Sequence, residues 1–110
     1  MADNFKRYTS RDIGTVAVEV GSYTVAANTQ TTAIGLTITN VSNSAITVST
    51  MHSDGVDDTY IVKDATLPAG GSLIAIGGNQ KLVLETGDSI KVSSSANTTV
   101  DAILSVLEIT

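Results

Sequence analysis

The chain's single histidine, His52, is followed directly by Ser53 and Asp54, the residue types of a base, a nucleophile and an orienting carboxylate. That chemistry requires the three groups to converge, the base within hydrogen-bond reach of the nucleophile and itself held by the acid. Adjacency in sequence does not provide such geometry. The expected reading is a solvent-facing histidine at a strand end, with a general base as the alternative. Asp54, Asp57 and Asp58 surround Gly55 in the same stretch. Calcium takes several oxygens converging from a flexible loop, but the twelve-residue loop spacing and its terminal bidentate glutamate are missing. A solvated hairpin tip is expected there, and calcium binding is left open. The glycine-rich stretches "PAGGS" (68–72) and "GGNQK" (77–81) lack the G-x-x-x-x-G-K-[ST] spacing and the following helix of a phosphate-binding loop, and they read as turns.

The absence of cysteine removes disulfides, thiolate chemistry and cysteine-based zinc sites together. No H-E-x-x-H motif, paired-carboxylate site or aromatic platform for bases or sugars is found. No catalytic, cofactor-binding or metal-binding residue is assigned, and the chain is expected to be non-enzymatic and without a cofactor.

The elements that would position any site are short strands. The length of 110 residues fits one domain, and the 42% apolar content comes with only 4% aromatics and no tryptophan, so the core must consist of Val, Ile, Leu and Ala. β-Branched side chains suit a half-buried pleated surface. In "TTAIGLTITN" (31–40), Ile34, Leu36 and Ile38 alternate with Ala33, Gly35, Thr37 and Thr39, a period of two. "SNSA" (42–45) turns the chain into "ITVSTM" (46–51). Further strands are expected over 18–28, 59–67, 72–78, 81–85, 89–94 and 99–110, the last with Val100, Ala102, Leu104 and Val106 on one face. About eight short strands at this spacing predict a single antiparallel β-sandwich, of jelly-roll or immunoglobulin-like topology.

Charge divides the chain unevenly. The net charge is −5, yet three of the six cations, Lys6, Arg7 and Arg11, fall in "NFKRYTSRDIG" (4–14). An acidic body repels phosphate backbones, so nucleic acid is not an expected partner. No apolar run approaches the ~18 residues of a membrane span. No run after Lys6 and Arg7 forms a signal peptide, so use without Sec export is expected, and the two N-x-S/T matches at Asn40 and Asn97 are read as chance. Residues 1–17 are expected to be an N-terminal arm and 18–110 the sandwich domain. Phe5 and Tyr8 would be the arm's apolar anchors and Lys6, Arg7 and Arg11 its charge partners, since aromatics and arginine are enriched at interface hot spots.

Three stretches, "YTVAANTQTTAIGLTITNVSNSAITVS" (23–49), "YIVKDATLPAGGSLIAIGGNQKLVLETGDSIKVSSS" (60–95) and "DAILSVLEI" (101–109), resemble a family of small virion proteins of tailed bacteriophages of the marine and cyanobacterial type. The resemblance extends to the "NFKRYTSRDIG" start and covers nearly the whole chain, with Ala26 where many relatives have proline. Its motifs are turns and strands. It implies a structural protein of the virion, assembled in the host cytoplasm, with other virion proteins of capsid, neck or tail and copies of itself as partners. An accessory or decoration protein of the capsid or head–tail neck is the expected role. A tail- or fibre-associated adhesion module using loops such as 53–58 and 94–99 is the alternative, against which the shortage of aromatics counts.

Overall fold

The computed structural model describes residues 3–110. Among the described residues, nine strands form two antiparallel sheets. The first sheet contains β1 (Asp3–Ile13), β9 (Val100–Ile109), β3 (Gln30–Asn40) and β6 (Ser72–Ile76), in that order, and β7 (Leu82–Leu84) also pairs with β3. The second runs β2 (Val18–Glu19), β8 (Ser89–Ser94), β4 (Ile46–Ser53), β5 (Asp58–Leu67). β6 and β7 pair with successive halves of β3, Leu36–Thr39 and then Thr31–Ala33, and so act as one strand interrupted by the 77–81 turn. With that pair counted once, eight strand positions remain, and the chain changes sheet at every connection except β4 to β5. This is the jelly-roll arrangement, which decides between the two topologies left open by the sequence.

The core follows from the pleat. Ala102, Leu104 and Val106 of β9 and Leu36 and Ile38 of β3 face Val48 of β4 and Ile90 and Val92 of β8, all buried. The strict alternation read over residues 31–40 breaks at one point. Ala33 pairs with Val106 and Gly35 with Ser105, so Ile34 is the extra residue of a bulge. Ala33 therefore joins Leu36 and Ile38 inside, and Ile34 is only half-buried.

Residues 18–28, expected as a strand, pair with β8 only through Val18 and Glu19. A 3-10 turn at Val20–Ser22 follows, in which Gly21 (φ 62°) and Ser22 (φ 55°) take left-handed conformations and end the ladder. A Cβ on Gly21 would lie 2.6 Å from the Cβ of Tyr8. Strain and steric overlap coincide there, so Gly21→Ala is expected to lower stability by about 2–4 kcal/mol, read as an earlier urea midpoint.

The glycine-rich stretches are turns. Gly71 donates its N–H to Pro68 O at 2.9 Å with Gly70 at φ 74°, the type II geometry. Gly77 and Gln80 exchange backbone hydrogen bonds at 3.1 and 2.9 Å. Asn40, completely buried, ties two connections together. Its Nδ2 donates to the carbonyls of Ser44 (2.8 Å), Leu67 (3.2 Å) and Pro68 (3.1 Å), and its Oδ1 accepts from the N–H and hydroxyl of Ser42 at 2.9 and 2.7 Å.

Candidate functional site on the first strand

The three groups around His52 do not converge. His52 is partly buried and its Nε2 lies 2.8 Å from Asp88 Oδ2, which corrects the expectation of a solvent-facing ring. The same carboxylate oxygen accepts the Glu85 N–H at 2.9 Å, so the pair fastens the 85–88 turn to the end of β4. Ser53 Oγ accepts from Gly55 N–H at 3.3 Å, and Asp54 Oδ1 accepts from Asp57 and Val56 N–H at 2.7 and 2.9 Å. Those backbone donors, Asp57 first, hold the Asp54 carboxyl below its ordinary range. Asp58 pairs with Lys91 at 3.5 Å. Among the described residues, no three ligating side chains are grouped closely enough to hold a metal ion.

The cationic segment takes a definite place. Residues 3–13, expected within an arm, run as β1 beside β9, from Asp3 opposite Ile109 to Ser10 opposite Ala102. A bulge follows, with Asp12 at φ 57° and its N–H on Asp101 Oδ1 at 3.1 Å, and Ile13 then enters the core. Among the described residues, β1 is an edge strand, paired with β9 on one side only.

Alternation along β1 divides the five residues of interest. Lys6 and Tyr8, opposite Val106 and Leu104, lie on the inner side. Tyr8 stacks on Tyr23, with ring centroids 4.2 Å apart. Lys6 Nζ lies 2.8 Å from Glu108 Oε1, and the Tyr23 hydroxyl donates to Glu108 Oε2 at 2.6 Å while accepting from the Thr31 hydroxyl at 2.9 Å. Glu108 is buried, so this network lets a carboxylate remain charged inside the rim of the sandwich. Sequence reasoning missed Glu108, Tyr23 and Thr31, because only the long-range strand register brings them to Lys6.

The network sets a pH window. The Lys6 hydrogen bond, then that of Tyr23, holds the Glu108 carboxyl below its usual value, whereas burial pushes the Tyr23 hydroxyl well above its own. Lys6 is raised by the Glu108 hydrogen bond. The depressed acid stabilises the fold above the unfolded glutamate pKa of about 4.3, and that contribution is lost as pH falls through the lower folded value. The raised groups stabilise fully below unfolded values of about 10 and lose the contribution as pH rises beyond them. Urea midpoints are expected to form a plateau between those limits, and Glu108→Gln to flatten its acid edge.

Phe5, Arg7 and Arg11 remain outward. Phe5 is 75% exposed. Every lysine has an intramolecular partner: Lys6 on Glu108, Lys91 on Asp58, Lys63 over the Tyr60 ring at 5.3 Å, and Lys81 donating to Gly78 O at 3.2 Å. Neither arginine forms an ion pair with a carboxylate among the described residues. Arg11 borders an open groove of ≈ 660 Å³ whose walls include Val16, Val18, Glu19 and Asn97. The exposed, unpaired cations are thus concentrated on one free sheet edge.

No family model matches the chain. No curated relative matches it either. Among solved structures, it is similar to a chain from Bacillus endospore appendages, described as a novel family of disulfide-linked pili, with TM-score 0.57, 13% identity, and coverage of 99% of this chain and 87% of that one. It is also similar to a chain of the T13 particle of infectious bursal disease virus (TM-score 0.49, 11% identity) and to one from the Gt strain of that virus (TM-score 0.46, 10% identity). Each covers 96% of this chain, which spans 30% of either viral chain. The appendage similarity concerns the fold, a two-sheet β-sandwich.

Proposed function

We propose that this chain is a non-enzymatic structural protein of a tailed-bacteriophage particle, an accessory or decoration protein of the capsid or head–tail neck that docks through β1. The observation that carries this reading is the pairing of a free sheet edge with Arg7 and Arg11 beside exposed Phe5. A free edge offers unpaired backbone groups to a neighbour, and arginine with an aromatic supplies the residue types of an interface centre. The resemblance of nearly the whole sequence to phage virion proteins agrees with it. Lys6 and Tyr8 serve the interior, so the docking set narrows to Phe5, Arg7 and Arg11.

The partners are other virion proteins of capsid, neck or tail and further copies of this chain. The reading includes neither nucleic acid nor membrane as a partner; the net charge of −5 disfavours a phosphate backbone. The appendage protein of similar fold forms disulfide-linked pili. Without cysteine, this chain would rely on non-covalent contacts in any assembly.

Antibody-gold labelling of intact purified particles, with antibody raised against the full chain, tests the reading. Label over the head or at the neck is the expected result. No label on intact or gently opened particles would overturn it.

A further inference from the structure

The outer face of the β1-β9-β3-β6/β7 sheet carries apolar side chains in cross-strand rows. Thr9, Ile103, Thr37 and Ile74 are opposite one another across four strands, as are Phe5, Leu107, Thr32 and Val83. Val83 is 71% exposed, Ile74 69% and Ile103 48%. A sheet face normally turned to water alternates polar residues outward, so aliphatic side chains on the outer side form an unmet packing surface. The strand residues of this face that carry charge are at its margin: Asp3, Arg7 and Arg11 on the edge strand and Asp101 at the start of β9.

We infer that this face is a self-association surface, packing against the same face of a second copy. Size supports the choice. Four strand positions about 4.8 Å apart and about 30 Å of strand give roughly 600 Å² before corrugation, close to the ~800 Å² per partner of a standard interface. Charge supports it as well. Copies of a chain with net charge −5 repel one another across most of their surfaces, and the least repulsive approach is across the charge-poor face. Arg7 against Asp3 and Asp101 makes its margin self-complementary in sign, as an isologous contact requires. Rows of threonine and aliphatic residues also suit sheet-on-sheet packing at about 10 Å, the same contact by which the two inner faces form the core. This inference deepens the assembly reading above by assigning the contact between copies to the outer face of the sheet, which borders the β1 edge and shares Phe5 and Arg7 with it.

The absence of native cysteine makes the test direct. Val83→Cys and Ile74→Cys place single thiols on the face, and Val56→Cys places one at the 90% exposed tip of the 53–58 turn as control. Raising the protein concentration from about 1 μM to about 100 μM, the weak end of affinities for an interface of this size, is expected to slow alkylation at 74 and 83 by about tenfold and leave 56 unchanged. Sedimentation of the unmodified chain should move from monomer to dimer over the same range. Concentration-independent alkylation at 74 and 83, equal slowing at all three positions, or a monomer throughout would overturn the inference. None of these results bears on gold labelling of particles, so failure here is distinguishable from failure of the virion reading.

Discussion

Asn40→Ala is expected to lower unfolding stability by about 3 kcal/mol or more. The amide donates to three carbonyls and accepts two hydrogen bonds at a fully buried position. Alanine removes all five and takes from the buried Leu67 carbonyl its side-chain donor, at about 1–3 kcal/mol when water cannot replace it, while Pro68 O keeps the Gly71 N–H. The connection on either side would loosen together, since backbone bonds Asn40 N–H to Gly71 O (2.8 Å) and Gly70 N–H to Asn40 O (3.1 Å) join the same strands. Urea unfolding followed by far-ultraviolet circular dichroism should show a midpoint about 1–2 M lower with unchanged slope. Asn40→Asp keeps the shape but loses the donor and adds a buried charge, and should do no better. A loss under about 1 kcal/mol would mean that Asn40 does not hold the two connections together.

Deleting residues 1–12 is expected to abolish stable folding, by more than about 5 kcal/mol, because it removes a strand of the sandwich. β1 covers one edge of β9 along most of its length, stacks Tyr8 on Tyr23, supplies the Lys6 partner of buried Glu108, and accepts the Gly21 N–H on Ser10 Oγ at 2.7 Å. Its loss exposes the β9 edge to aggregation and leaves Glu108 with Tyr23 alone. Circular dichroism and sedimentation of the truncated chain check this. A soluble, cooperatively unfolding truncation would show that these residues are an appendage to the fold.

The strands most legible in the sequence are those with one buried face and no bulge before their end. β9 is the clearest case: Val100, Ala102, Leu104 and Val106 were assigned to one face and are all buried there. Turn chemistry was legible where the backbone demands glycine, at 68–71 and 77–80. Alternation misled at Ile34, where a bulge shifts the register; the cue was the adjacent Gly35, an isolated glycine inside a strand. The stretch 18–28 has strand-like residues, but left-handed Gly21 and Ser22 end the pairing. In the candidate site, the cationic concentration was visible, whereas its division into inner and outer sides was not. That division depends on pairing between residues 85 or more positions apart, Tyr23 with Glu108 and β1 with β9. Once the register is known, Lys6 and Tyr8 belong to the inner side of β1, Lys6 at the exposed rim, and the two arginines to the outer side.

Docking through the outer side of β1 is tested most directly by rebinding to particles assembled without this protein, comparing the unmodified chain with Arg7→Glu/Arg11→Glu. Both side chains are exposed and unpaired among the described residues, so the variant should keep its circular dichroism spectrum and urea midpoint. The expected result is a loss of particle binding of at least about tenfold, as removal of interface-centre arginines produces. Binding equal to that of the unmodified chain, by a variant of unchanged stability, would contradict docking through β1.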